Sequence, residues 1–188
     1  ARVRVSAAAP GGARHFAIRP YPSELVETVE WQGRTLTLRP IRPEDEAMHL
    51  EFLQHLAPED VRMRVFYSRR HIERSELARL TQIDYAREMA FIATETTAGG
   101  GERTLGVVRA IADPDNVDAE FGIIVRSELK GEGLGELLMR KIIDYQRGHG
   151  TQRLVATVLA ENERMLELGR DLGFEFDTTH REPGTRDL

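Results

Sequence analysis

The sequence predicts an α/β domain of the α+β kind, with a mixed central β-sheet and helices on both of its faces. The first observation is the order of the predicted elements: strand, helices, a meander of three strands, helix, strand, helix and strand. A doubly wound parallel sheet would instead alternate strands and helices throughout. The second is size, because 188 residues, 40% hydrophobic and 30% charged, suit one domain with a proper core.

The first half of this domain is predicted from alternation, proline positions and glycine-rich turns. Residues 34–39 alternate as a strand does, and Pro43 with the acids after it is typical of a first helical turn. A glycine-rich turn at 96–102 separates two apolar runs and predicts a hairpin. The predicted elements are a strand at 34–39, helices at 43–56, from Pro58 and at 72–82, and strands at 89–95 and 105–112.

The second half contains the clearest helix, at 133–147, where apolar residues form one stripe and Gly148-His-Gly150 ends the pattern. Around it the sequence predicts a strand at 117–125, a strand at 154–159, a helix at 162–172 and a further strand that begins at 173–174. The polar segment 181–188 has no predicted element.

The stretch before the domain is of a different character. Residues 1–5 alternate like a strand, and 6–12 are small residues typical of a linker. We expect residues 1–32 to be a linker or tail, the end of an upstream region of a larger protein, and 33–188 to be the domain. An ordinary disordered tail is the alternative.

Composition limits the class of function. A net charge of −5 and a pI near 5.7 argue against binding nucleic acid or an acidic membrane surface. The chain has no cysteine, which excludes disulfides and an acyl-cysteine intermediate and is compatible with the cytoplasm. No apolar run is long enough to span a bilayer.

Two groups of residues are predicted to have no catalytic or metal-binding role. His49 and His55 lie six apart on one predicted helix and would not share a face, so we expect no metal site and surface or packing roles. A cluster of arginines is predicted to form a solvated face, with a patch for an acidic protein partner as the alternative; its members are residues 62, 64, 69, 70 and 74.

The most informative segment is the strand, glycine-rich turn and helix from Phe121 to beyond Gly135. Glycines at 131, 133 and 135 let backbone N–H groups surround a phosphate, and the helix adds its positive dipole end. A dinucleotide fingerprint needs a glycine where Glu136 stands, and a Walker loop needs Gly-Lys-Ser/Thr. Of the phosphate-binding loops considered, only the pyrophosphate loop of an acyl-CoA-dependent N-acyltransferase remains compatible with this segment.

Acyl transfer to an amine also needs a base, because an amine of pKa about 10.4 is neutral only about once in 2,500 molecules at pH 7. Glu120 is the best candidate, since it interrupts an apolar strand and shares a face with Gly122, which leaves room beside it. A strand cap or a pair with Arg109 is the structural alternative. Asp118, on the same face, is the second candidate.

Three residues near the loop have both ordinary and functional readings. Asn162 is a preferred N-cap for the last long helix, and that role is compatible with bonding the cofactor arm. Lys130 precedes the loop and could neutralise phosphate, or be simply exposed. Met165 more often indicates core than a cofactor contact.

At this point the sequence resembles a known family. The pattern from Val125 to Gly135, with Lys130 before the glycines, Asn162 and then Leu172-Gly-Phe174, is similar to the GNAT superfamily of N-acetyltransferases over residues 33–177, and so implies the GNAT fold. Finer similarity is to bacterial protein lysine acetyltransferases that modify acyl-CoA synthetases; it is carried by residues 81–85, 87–91 and 113–121. Residues 1–22 resemble the end of the synthetase-like region that precedes this domain in long members.

The resemblance implies acetyl-CoA as co-substrate and Glu120 as general base. It implies pantetheine contacts at Ile123 and Val125 and an acceptor lysine on a protein such as acetyl-CoA synthetase, whose acetylation inactivates it. The pyrophosphate-binding residues that it implies are Lys130, Gly131, Glu132, Gly133, Leu134 and Gly135.

Two departures from the family pattern matter. Lys130 replaces the usual Gln or Arg, and Gly169 stands where many members carry a tyrosine that protonates the thiolate, so no general acid is assigned. Three alternatives to a protein lysine acetyltransferase stay open. They are an acetyltransferase for small amines or protein N-termini, a non-catalytic acyl-CoA sensor, and a phosphate-binding structural domain.

Overall fold

A computed structural model describes residues 19–65, 73–176 and 184–188, so the predicted strand and linker at 1–12 lie outside the described part. The strands are β1 Glu27–Trp31, β2 Arg34–Pro40, β3 Glu88–Thr96, β4 Glu102–Ala112, β5 Asp118–Val125, β6 Arg153–Val155, β7 Thr157–Leu159 and β8 Thr185–Asp187. The helices are α1 Glu46–Gln54, α2 Pro58–Val65, α3 Arg74–Thr81, α4 Leu134–Gly148 and α5 Glu163–Asp171.

The six strands β1 to β6 form one sheet in chain order, and β7 pairs with β8 in a second, two-stranded sheet. Every neighbouring pair is antiparallel except β5 and β6, which are parallel. The predicted mixed sheet is therefore confirmed. A parallel pair requires a crossover, and α4 provides it between β5 and β6.

Side chains on the two faces of the sheet form two separate cores. On one face, Phe91, Leu105 and Phe121 pack with the apolar stripe of α4, including the fully buried Leu138 and Ile142. On the other face, a smaller cluster packs under α1 and α2; it contains Ile41, Phe52, Leu56, Ala90, Ile92 and Val107, with Ile124 at its edge. Helices thus cover both faces, as predicted.

The sheet opens at β5. In the described residues β6 pairs only with Asp118–Glu120, so Phe121–Val125 has a strand partner on the β4 side alone. Ala156 follows β6, and its backbone N–H and C=O both bond Leu188, which starts the pairing of β7 with β8. The prediction of one strand over 154–159 is wrong, because the chain changes sheets at Ala156. The divergence leaves a gap between β5 and β7.

Other differences concern short elements held by tertiary contacts. β1 was not predicted; it pairs with β2 around a tight turn in which Gln32 and Gly33 both have positive φ. The strand predicted from 173–174 is absent over 173–176, and β8 lies instead in the polar segment that had no predicted element. His49 is buried, with 2% exposure, which agrees with the predicted packing role.

Among the helices of the described ranges, none is both long and apolar enough to cross a membrane.

Candidate active site

The gap between β5 and β7 is a cleft of about 710 Å³, which is the size of a small-molecule site. β5 forms one wall, β7 with the start of α5 forms the other, and α2 lies across it. Seven of the predicted site residues line it: Ile123, Val125, Lys130, Gly131, Gly133, Gly135 and Asn162. Glu120, Glu132 and Leu134 are not among the lining residues.

The glycine-rich turn is open where it lines the cleft. Gly131 and Gly133 have φ of +81° and +85°, and a Cβ built on either would meet no atom within 4 Å. The open space above them belongs to the cleft. α4 begins directly after Gly133, whose carbonyl accepts the first helical bond from Leu137 at 3.1 Å. The N–H groups of the first turn, from Leu134 onward, therefore have no intrahelical acceptor.

A contact from β1 fixes the orientation of this turn. The Glu132 carbonyl accepts hydrogen bonds from Trp31 Nε1 at 2.9 Å and from Gln32 Nε2 at 3.2 Å. In a trans peptide the C=O and the following N–H point in opposite directions, so this anchor turns the Gly133 N–H away from Trp31. Sequence reasoning missed the anchor, because the residues are about a hundred positions apart and β1 was not predicted.

Lys130 is held by α2 at the mouth of the cleft. Its ammonium forms an ion pair with Asp60, a buried carboxylate that also accepts a hydrogen bond from Ser127 Oγ at 2.6 Å. Burial, followed by the nearby Arg164 guanidinium, lowers the pKa of Lys130, and the charge of Glu59 opposes this shift. Arg164 also lines the cleft. Two cations therefore lie close together beside the glycine-rich turn.

Glu120 lies at the other end of β5 from this turn, one position before the lining residue Phe121. It is exposed, stands opposite Ile111 of β4 and Val155 of β6, and has no hydrogen-bond or ion-pair partner among the described residues. From Glu120 to Val125 the strand rises about 16 Å. The Glu120 carboxylate and the glycine-rich turn thus lie at the two ends of one open strand edge.

The space beside Glu120 contains the guanidinium of Arg64. A Cβ built on Gly122 would overlap this guanidinium, so Gly122 makes room for Arg64 rather than for empty space. Arg64 comes from α2, is half-buried and lines the cleft. Burial, followed by the neighbouring Arg109, lowers the pKa of the Arg64 guanidinium, while Glu120 attracts its charge. The prediction of a solvated arginine face is wrong for Arg64.

The structural alternatives for the two acids are also resolved. Arg109 forms an ion pair with Glu88 and donates to the Leu80 carbonyl, so its partner is not Glu120. Asp118 forms a bidentate pair with Arg153, with N–O distances of 2.6 and 2.8 Å. Asp118 is therefore already engaged at the start of β5, and Glu120 is the freer carboxylate.

The start of α5 forms the opposite wall. Asn162 is its N-cap, and its side-chain oxygen accepts the Met165 N–H at 3.2 Å, which confirms the predicted capping role. Gly169 is buried, and a Cβ built there would lie 3.3 Å from Leu188. A side chain at this position would therefore require Leu188 to shift by a few tenths of an ångström. Within the described residues, no Tyr, His or Cys lines the cleft.

Fold and cleft together define an acyl-CoA-dependent acyltransferase. A family model described as an acetyltransferase (GNAT) domain matches residues 35–175, and the chain belongs to this family. An acetyltransferase of Pseudomonas aeruginosa is 30% identical over 149 residues, covering 79% of each chain.

The chain is also similar to longer proteins. Acetyltransferase Pat of Mycolicibacterium smegmatis is 31% identical over 157 residues, which are 83% of this chain but only 44% of that protein. The crystal structure of the GNAT domain of S. lividans PAT superposes with a TM-score of 0.80 at 24% identity, covering 90% of this chain and 98% of that one. That match confirms the predicted fold.

Proposed function

We propose that this chain transfers the acetyl group of acetyl-CoA directly to a lysine ε-amine of a protein, an acyl-CoA synthetase in particular, and so inactivates it. The observation that carries the proposal is the arrangement on β5: the Glu120 carboxylate, which has no hydrogen-bond or ion-pair partner among the described residues, and the glycine-rich turn at 131–135 lie at the two ends of the same open strand edge. The motif resemblance at 81–85, 87–91 and 113–121 and the similarity to Pat proteins support the protein acceptor.

In this proposal the cleft binds acetyl-CoA, and its extended pantetheine arm lies along the edge of β5 as an additional strand would. The edge of β5 at Ile123 and Val125 faces the gap and is free to bond pantetheine amides, with Asn162 on the opposite wall. The free N–H groups at the start of α4, with Lys130 and Arg164, neutralise the pyrophosphate. The residues present thus suit a long, anionic ligand, and the proposal assigns no role to a metal ion.

Acetyl-CoA supplies a thioester whose C–S bond is exchanged for a C–N bond to the amine. Glu120 takes the proton that the amine loses, directly or through a water, which maintains the neutral nucleophile. Restoring that neutral form costs about 4.6 kcal/mol at pH 7. The leaving sulfur needs no general acid from the protein, because a thiol has an ordinary pKa of about 8.5. A reaction without a general acid agrees with the lack of a tyrosine among the described lining residues.

The test is transfer of labelled acetyl from acetyl-CoA to a purified short-chain acyl-CoA synthetase, with the Glu120→Gln and Asp118→Asn variants alongside. Glu120→Gln should lower the rate by about 10²–10⁴-fold with acetyl-CoA affinity nearly unchanged, because it removes only proton acceptance. Asp118→Asn should stay close to the parent, since Asp118 is paired with Arg153.

The other outcomes separate the remaining readings. Labelling of free amines, but not of the synthetase, would assign a small-amine acceptor. Tight acetyl-CoA binding without any transfer would instead assign a sensor. Equal rates for the parent and Glu120→Gln would remove Glu120 as the base. The cytoplasm is the proposed location, because acetyl-CoA and such synthetases are found there.

A further inference from the structure

We propose that the Arg64 guanidinium binds a carboxylate of the acceptor, so that this enzyme selects amines that have an acidic group beside them. The inference rests on the proposed function, because it names a class of acceptor for the same cleft. Arg64 lies over Gly122 in the cleft wall formed by β5, on the face of the strand that also carries Glu120.

Arg64 has no ion-pair or hydrogen-bond partner in the described part of the protein, although Glu120 attracts its charge. Three of the neighbouring cations have partners there: Arg62 lies 2.5 Å from Glu161, Lys130 pairs with Asp60, and Arg109 pairs with Glu88. Arg64 forms neither a hydrogen bond nor an ion pair with any described residue, although it is half-buried. A desolvated cation without a partner is costly, and a bound anion would remove that cost.

The form of the side chain favours a carboxylate. A guanidinium is a planar fork of N–H donors that bonds both oxygens of a carboxylate at once. Gly122 is what allows this fork to lie flat against the strand, since any larger residue would overlap it. Glu120 attracts Arg64 but stays beyond ion-pair distance, so the fork remains available to a ligand.

The acceptor is the source of this carboxylate because of where the amine must go. To lose its proton to Glu120, an amine has to approach the face on which Arg64 lies. An incoming ammonium is repelled by an unmatched guanidinium, and a carboxylate close to that amine cancels the repulsion. In a folded protein such a group is an Asp or Glu beside the acceptor lysine.

The experiment uses the full chain, acetyl-CoA and the folded acyl-CoA synthetase as acceptor. After the acetylated lysine is mapped, each Asp or Glu near it is changed to Asn or Gln, and kcat/KM is measured. One of these changes should lower kcat/KM by about tenfold with the parent enzyme and leave it nearly unchanged with Arg64→Gln. Arg140→Gln is the matched control, because Arg140 is an exposed arginine on α4 paired with Glu136.

A charge swap separates recognition from a structural role. Arg64→Glu should lose transfer to the natural acceptor and regain it when the identified acid of the acceptor is changed to Arg. Arg64→Lys should retain part of the preference, since it keeps the charge and loses the fork. Calorimetry with acetyl-CoA checks that each variant still folds and binds.

The outcomes that overturn the inference are distinct from failure of the proposed function. Acetylation of the synthetase that is equal for every acceptor variant would overturn the inference alone. The inference would also be overturned if transfer from succinyl-CoA were faster than transfer from acetyl-CoA and if this advantage were lost in Arg64→Gln. The carboxylate bound by Arg64 would then belong to the acyl group. If the synthetase is not labelled, the proposed acceptor fails. In that case the lysines that the parent and Arg64→Gln acetylate in a bacterial protein extract are mapped and compared. The preference is supported if Asp or Glu lies beside the acceptor lysine more often with the parent, and it is wrong if the two sets do not differ.

Discussion

Replacing Gly133 with valine should destroy acetyl-CoA binding for a reason that can be separated from loss of stability. Gly133 has a φ of +85°, a conformation that costs an L-residue about 1–2 kcal/mol. That strain lowers the melting temperature by about 2–8 °C in a chain of this size. Gly133 lines the cleft, and a Cβ at this position would meet no protein atom within 4 Å. We therefore expect the valine side chain to occupy space that a phosphate needs to reach the backbone N–H groups.

Gly150 provides the matched control. Its φ is +74°, and a Cβ there also meets nothing within 4 Å, but it follows the opposite end of α4. Gly150→Val should therefore show a similar loss of melting temperature and bind acetyl-CoA as the parent does. Calorimetric titration of the two variants gives the comparison. If Gly133→Val bound acetyl-CoA with the affinity of the parent, the assignment of the glycine-rich turn as a phosphate cradle would be wrong.

Two further predictions concern stability. Burial, followed by the charge of Arg109, lowers the pKa of His49 to about 4 from an ordinary 6.5, so stability present above about pH 6.5 is lost as pH falls toward 4, by at most about 3 kcal/mol. Urea unfolding across this range should show that loss of stability in the parent and in a His55→Gln control, but not in His49→Gln. If His49→Gln lost as much stability as the parent when the pH falls, the assignment to His49 would be wrong. Arg39 and Asp45 form a buried pair with two N–O distances of 2.7 Å, so Arg39→Met should lower the free energy of unfolding by about 3–5 kcal/mol. Arg153→Met, at an exposed pair, should lower it far less. Equal losses in the two variants would contradict this reasoning.

The parts of the site that sequence reasoning predicted are the ones whose causes are local. The path from strand to glycine-rich turn to helix follows from an apolar run, three glycines and a single amphipathic stripe, and the structure confirms α4 to within a residue at each end. Asn162 as an N-cap is equally local, because its acceptor atom reaches an N–H three residues away.

The parts that were missed depend on contacts between distant segments. The break at Ala156 exists because Leu188 supplies its backbone partners, and no short-range pattern in 154–159 records that pairing. Arg64 was predicted to be solvated because a charged helix has a solvated face, yet Gly122 opens a place for it on the sheet. A glycine within an apolar strand is the one signal in the sequence that indicates such a close approach.

The anchor on the Glu132 carbonyl gives this protein an internal optical reporter. Trp31 is the single tryptophan of the chain, it is 7% exposed, and its indole N–H is bonded to the turn that we assign to the phosphates. Indole emission responds to hydrogen bonding and to nearby charge. Intrinsic fluorescence of the unlabelled enzyme will therefore follow occupancy of the glycine-rich turn, so ligand affinities and binding rates can be measured without a coupled assay or an attached dye.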